Sequence, residues 1–201
     1  MITASNAFLI LITYLLGSIP FGYIITKLYT GKNILDLGSG NVGSTNVGRI
    51  AGKKMSIITQ ILDMLKGFLP VAVYIYFADN KDFANSPYFV YIIALSAIIG
   101  HNFSIFLKFK GGKGVNTTLG ASVLIAPYSV FISVIVYFIV KWRFKYVSLG
   151  SIFLAITLPI IEIIINNFSL TFFYLLICSI LIVIMHRKNI SRLLNKNEII
   201  S

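Results

Sequence analysis

Residues 37–54 read LGSGNVGSTNVGRIAGKK and hold five glycines, two asparagines, two serines, one threonine and three cations. Gly38, Gly40 and Gly43 permit positive φ, so successive N–H groups can point at one anion. Ser39, Asn41, Thr45 and Asn46 add neutral donors, and Arg49 adds a forked cation suited to phosphate. A second stretch, GHNFSIFLKFKGGKGVNTTLG (100–120), sets Gly111, Gly112 and Gly114 around Lys113 just before a helical pattern. A glycine-rich turn entering a helix N-terminus is a natural anion site, although the spacing is not that of a Walker A loop. A third, MHRKNISRLLNKNE (185–198), spaces His186, Asn189, Ile190 and Leu193 at i, i+3, i+4 and i+7. His186 and Asn189 therefore share a helix face, where they suit an orienting or proton-handling role. Taken alone, each stretch also reads as an ordinary loop or helix end carrying topogenic charge.

Other chemistries find little material. The six carboxylates are Asp36, Asp63, Asp79, Asp82, Glu162 and Glu198, too few and too scattered for a paired-carboxylate mechanism. No His, Cys or carboxylate cluster has metal-ligand spacing, so no metal and no cofactor are expected. There is no G-x-S-x-G elbow. Cys178 lies in an apolar run and reads as packing. Lys66 and Asp63, three apart at the start of a span, read as a structural i, i+3 pair near the interface, the sharper alternative being support behind the anion site. What remains is a cationic, glycine-lined, hydroxyl-rich pocket suited to phosphate-bearing substrates with a lipid part.

The elements that must position these residues are apolar. The chain has 201 residues, 57% of them hydrophobic and 11% charged, against roughly 25% charged in soluble domains. This implies an all-α integral membrane protein, one compact domain over 1–201. Apolar spans run at 5–26, 55–77, 88–107, 147–165 and 168–185, each near the roughly 20 residues a bilayer requires. The stretch 115–140 contains Pro127 and can be one helix or two short ones. The first lysines follow the first span, which favours an external N-terminus. If 115–140 crosses twice, KWRFKY (141–146) and the 186–196 segment both fall inside. Then 15 of the 17 Lys and Arg are cytoplasmic, leaving Lys66 within a span and Lys81 outside. The expectation is seven transmembrane helices, some short, with the C-terminus cytoplasmic. The net charge of +11 is explained by this clustering, and no nucleic-acid partner is expected.

The three stretches together resemble the PlsY family, the bacterial acyl-phosphate:glycerol-3-phosphate acyltransferases. GSGNVGSTNVGR resembles its first motif, GHNFSIFLKFKGGKGVNTTLG its second and HRKNISRLLNKNE its third; GSIPFGYI (17–24) and LDMLKG (62–67) are weaker echoes. Departures include Val42, Ser44, Ser104, Asn116 and Lys196, none of which removes a cation, His186 or Asn189. The resemblance implies transfer of a fatty acyl group from a long-chain acyl phosphate to the sn-1 hydroxyl of glycerol 3-phosphate. The products are lysophosphatidic acid and phosphate, in the first step of phospholipid synthesis. It implies a multi-pass protein of the bacterial plasma membrane, working as a monomer among membrane lipids, with its active site toward the cytoplasm. Ser39, Arg49 and Asn41 are expected to bind one phosphate. Gly111, Gly112, Lys113 and Gly114 are expected to bind that of glycerol 3-phosphate. Asn189 and His186 would close the pocket. Ser148 or Ser151, in YVSLGS, would donate to a phosphate. The rival reading is a small transporter of phosphate-bearing solutes, which should also carry polar residues in the outer halves of its spans. Those halves read as almost purely apolar.

Overall fold

The computed structural model describes residues 4–77 and 88–200. The segment with Lys81 lies outside the described residues. The described chain is helical and groups into two compact units, residues 1–121 and 122–201.

The first unit opens with α1 (Ala4–Ser18) and α2 (Phe21–Thr30), which together form one span broken at Ile19–Pro20. Proline lacks an N–H and disfavours a helical conformation in the residue before it, so the break falls there. Next come a short 3-10 turn (Ile34–Asp36) and α3 (Ser44–Phe77). Gly52 interrupts α3 with φ 86° and ψ 170°. The polar residues 44–51 are therefore a short helix rather than a loop. The chain bends so that Ser56 Oγ donates to the Ser44 carbonyl at 2.8 Å. Below the break, Thr59, Asp63, Lys66, Gly67, Val71 and Tyr74 are buried. Their three- and four-residue steps make one inward stripe.

Helix α4 (Phe89–Asn102) ends in a 3-10 turn (Ile105–Leu107), and an extended glycine-rich stretch leads into α5 (Val115–Ser122). A Cβ on Gly67 would strike the Thr117 carbonyl, and one on Gly120 the Met64 carbonyl. Glycine at both contacts lets α3 and α5 touch backbone to backbone, as small residues do between membrane helices.

The second unit contains α6 (Pro127–Phe144), α7 (Val147–Asn166), α8 (Leu170–Met185) and α9 (Arg187–Leu194). Helices α8 and α9 meet at a bend of 58°. Large apolar side chains on α6, α7 and α8 stay exposed, among them Phe131, Phe138, Ile164 and Phe173. Such a surface is stable against lipid tails and not against water.

Among the described residues, five helices are long and apolar enough to cross a membrane, and six if the bent α8–α9 pair counts as one. The two short helices expected in 115–140 are unequal. One is α5, with eight residues, and the other is α6, with 18. At 1.5 Å per residue α5 rises only about 12 Å, against an apolar core of roughly 30 Å. Glu162, 3% exposed, accepts from Ser129 Oγ at 2.6 Å and from Asn166 Nδ2 at 2.8 Å. Buried carboxylates in apolar surroundings need such donors. These two satisfy both oxygens and pin the start of α6 to the end of α7.

Candidate active site

The first glycine-rich segment is built around one side chain. Asn46 is 2% exposed. Its Oδ1 accepts from Ser39 N–H at 2.9 Å, and its Nδ2 donates to the carbonyls of Leu37 at 3.0 Å and Asn41 at 2.9 Å. Asn41 Oδ1 in turn accepts from Gly43 N–H at 2.9 Å. Gly38 and Gly40 have φ of 58° and 67°, and a Cβ on Gly38 would strike Asn46 Oδ1. Beneath the turn, Ile34, Val42 and Val47 form a buried apolar base. Asn46 was expected among the phosphate ligands, but its amide is committed to the segment's own backbone. The turn it shapes holds Ser39, half-buried, and α3 then carries Thr45, half-buried, and Arg49, exposed.

The second segment is shaped by backbone pairing. Gly111 N–H donates to the Asn102 carbonyl at 3.1 Å, and Gly112 N–H to the His101 carbonyl at 3.0 Å. The stretch therefore runs back along the end of α4. Gly114 has φ 81° and brings the chain into α5, whose first turn closes with Thr118 N–H on the Gly114 carbonyl at 2.7 Å. Lys113 thus stands two residues before the α5 N-terminus, where the helix dipole favours an anion. Asn116 Nδ2 donates to Ser44 Oγ at 3.2 Å. That bond ties the N-terminus of α5 to that of α3, so both glycine-rich segments belong to one corner of the first unit.

Three charged or titratable residues lie below this corner. Lys66 Nζ is 3.0 Å from Asp63 Oδ1, and His101 Nδ1 is 3.6 Å from the same oxygen. The expected i, i+3 pair of Asp63 and Lys66 is present, and it is buried: their side chains are 3% and 5% exposed. Lys66 also donates to the Ile19 carbonyl at 2.8 Å, the group freed where Pro20 breaks the first span. His101 went unnoticed in the sequence because its partners, Asp63 and Lys66, lie on a helix distant in the chain.

In the second unit, a single carboxylate gathers the polar residues. Glu198 Oε1 accepts from Asn189 Nδ2 at 2.6 Å and Ser148 Oγ at 2.9 Å, and Oε2 accepts from Arg192 Nε at 2.9 Å. Burial alone would raise the Glu198 carboxyl. The bonds from Asn189, Ser148 and Arg192 outweigh it and hold the group below the ordinary glutamate value. Ser151 instead donates to the Val147 carbonyl in its own helix at 2.9 Å. His186 caps α8, 2% exposed, with Nδ1 2.8 Å from the Ile182 carbonyl. Asn189 and Ser148 are thus brought together, while Ser151 is turned aside. The organising role of Glu198 was missed; its one signal is that it is the sole carboxylate in the basic segment 186–201. Among the described residues, no group of three or more His, Cys, Asp or Glu side chains could hold a metal ion.

Fold and site together define a polytopic helical membrane protein with two glycine-rich helix entrances. The chain belongs to the glycerol-3-phosphate acyltransferase family, whose model matches residues 7–196. It is 42% identical over 191 residues to the glycerol-3-phosphate acyltransferase of Clostridium acetobutylicum, covering 94% of this chain and 96% of that one. The relative from Staphylococcus haemolyticus is 41% identical over 192 residues, covering 94% and 95%. The crystal structure of PlsY, an integral membrane glycerol 3-phosphate acyltransferase, in its glycerol 3-phosphate form has a TM-score of 0.89 and 36% identity. It covers 98% of this chain and 96% of PlsY. The lysophosphatidic acid form gives 0.86.

Proposed function

We propose that the chain moves a fatty acyl group from a long-chain acyl phosphate to the sn-1 hydroxyl of glycerol 3-phosphate, giving lysophosphatidic acid. Acyl transfer to glycerol 3-phosphate follows from the family; the phosphate donor is our own reading. The observation that carries it is the Asn116–Ser44 bond at 3.2 Å, which joins two glycine-rich helix entrances. Two anion sites side by side suit a reaction whose donor and acceptor each bear a phosphate.

An acyl phosphate is a mixed anhydride, so no covalent enzyme nucleophile is required. The acceptor hydroxyl attacks the acyl carbon, the carbon–oxygen bond to phosphate breaks, and the hydroxyl proton leaves on the released phosphate. The protein's work is alignment and neutralisation of charge. Alignment can supply about 7–11 kcal/mol of the barrier, and donors at the developing charge about 3–4 kcal/mol each. We assign Ser39, Asn41, Thr45 and Arg49 to the donor phosphate. Lys113 and Gly114 take glycerol 3-phosphate, while Gly111 and Gly112, expected as ligands, give their N–H groups to the end of α4 and shape the segment instead. Asn46 organises the first segment, and within the second unit Glu198 organises Ser148 and Asn189.

Charge parity supports seven crossings, with α5 completing a short one, an external N-terminus and an active site at the cytoplasmic face of the bacterial plasma membrane. The chain is read as one functional domain, working as a monomer. Purified protein given palmitoyl phosphate and glycerol 3-phosphate should release one phosphate per lysophosphatidic acid formed, and palmitoyl-CoA should not replace the donor. Equal turnover with the thioester would overturn the donor assignment. Cysteines placed at Lys145 and Lys196 in a Cys178→Ala background should resist an impermeant thiol reagent in intact cells; strong labelling would sink the topology.

A further inference from the structure

We propose that Asp63, Lys66 and His101 are positioning residues that set where the 111–114 segment stands, with His101 as the link. The proposal rests on the reading that this segment holds glycerol 3-phosphate. Ionisable side chains in a membrane-spanning body are expensive and mark functional positions, usually with a named partner. Here the partners are one another. Asp63 Oδ1 faces Lys66 Nζ at 3.0 Å and His101 Nδ1 at 3.6 Å, all three side chains being at most 7% exposed. Lys66 is fixed from its other side by the Ile19 carbonyl at 2.8 Å and by the Phe21 ring at 5.6 Å. The trio therefore joins α3 to α4 and touches α2 through Phe21.

His101 carries that position to the segment in two ways. Its carbonyl accepts from Gly112 N–H at 3.0 Å. Its imidazole lies so close over Gly112 that a Cβ built there would fall on Nε2. The ring orientation is set by Asp63, and the ring face sets how near Gly112 approaches α4. Lys113 is the next residue. A shift of the ring would move its backbone and the α5 entrance together, and misplacement by about 1 Å can cost about 100-fold in rate. None of the three needs to touch substrate for this.

The test is a steric swap with a kinetic split. Gly112→Ala places a methyl on the imidazole and should raise the KM for glycerol 3-phosphate about tenfold, because overpacking a filled site forces a shift. His101→Ala alone should raise it about fivefold, by removing the ring that backs the segment. Combined, the new methyl enters the vacated space. The double variant should return to within about threefold of wild type, a non-additive result. Additive losses overturn the proposal. Asp63→Asn should raise that KM about fivefold while the KM for acyl phosphate stays within about twofold; equal changes in both, or loss of kcat alone, also overturn it. Should Asp63→Asn fail to fold, the swap decides alone. Lys113→Ala separates the two readings. If it leaves the KM for glycerol 3-phosphate unchanged, the substrate assignment fails. Hydrogen exchange across 110–115 then judges positioning: faster exchange in His101→Ala supports it, and unchanged exchange rejects it.

Discussion

The first glycine-rich segment and the 186–198 segment are each drawn together by one side chain, of opposite kinds. Asn46 is neutral and both donates and accepts, closing a turn from three backbone groups. Glu198 is charged and only accepts, collecting Asn189, Ser148 and Arg192. A neutral organiser adds no charge beside Arg49, and it works within a turn whose Ser39, Gly40 and Gly43 N–H groups are all paired internally. A carboxylate organiser lowers the positive charge of its segment and makes the arrangement depend on protonation. The neutral device is also the more brittle, because an amide has no second way to satisfy both carbonyls and an N–H.

The largest effect should come from breaking the neutral device without changing its shape. Asn46→Asp keeps the acceptor for Ser39 N–H but turns an oxygen on the Leu37 and Asn41 carbonyls. Two half-buried carbonyls then face an oxygen in place of a donor, although Leu37 keeps the Gly40 N–H at 3.0 Å, and each lost bond costs about 1–3 kcal/mol. Turnover with both substrates should fall about 100-fold or more. Activity within about threefold of wild type would mean that the amide does not shape the segment.

Glu198→Gln is the matching change in the charged device and should do less. Glutamine keeps the volume and one acceptor, but loses the charge that strengthens all three bonds. A loss of about tenfold in kcat/KM is expected. If it exceeds the Asn46→Asp loss, the ranking of the two devices is wrong.

The fold was legible where composition alone decides. Most spans follow from the roughly 20-residue apolar requirement, and the family follows from three ordered motifs. The uneven split of 115–140 was not legible. Gly67 closes on the Thr117 carbonyl and Gly120 on the Met64 carbonyl, which hold α5 against α3 although the two helices are distant in sequence. The candidate site was legible only as residue types whose glycine spacing and cations suit an anion. Roles within it were not. An asparagine in a glycine-rich turn reads as a donor to ligand, and only the burial of Asn46 shows its amide to be used internally. His101 and Asp63 are 38 positions apart in the chain, so no periodicity could pair them.

The charged device should also respond to acid, and the neutral one should not. The folded Glu198 carboxyl titrates below its unfolded value of 4.5. Its stabilisation is therefore complete above that value and is lost as pH falls through the lower, folded one. Hydrogen exchange of residues 190–198, corrected for intrinsic rate, should be equal at pH 7 and 5 and faster at pH 3. In Glu198→Gln it should be fast and flat. An acid response that persists in Glu198→Gln would assign the titration to another group.

The smallest effect separates two serines one helical turn apart. Ser148 donates to Glu198, whereas Ser151 donates to the Val147 carbonyl of its own helix. Such back-bonding to the i−4 carbonyl adds little to a helix and often bends it. Alanine is also the better helix former by a few tenths of a kcal/mol. Ser151→Ala should therefore leave kcat/KM and thermal stability within about twofold and about 1 °C of wild type. Ser148→Ala removes one of three donors to a carboxylate, a bond worth about 1.5 kcal/mol. It should lower kcat/KM about fivefold to tenfold, and its effect should shrink in a Glu198→Gln background, since the two act through one contact. If Ser151→Ala is the more damaging, the hydroxyl that matters leaves its helix carbonyl when substrate binds. The Glu198 cluster would then be a brace for the chain end and not part of the substrate site.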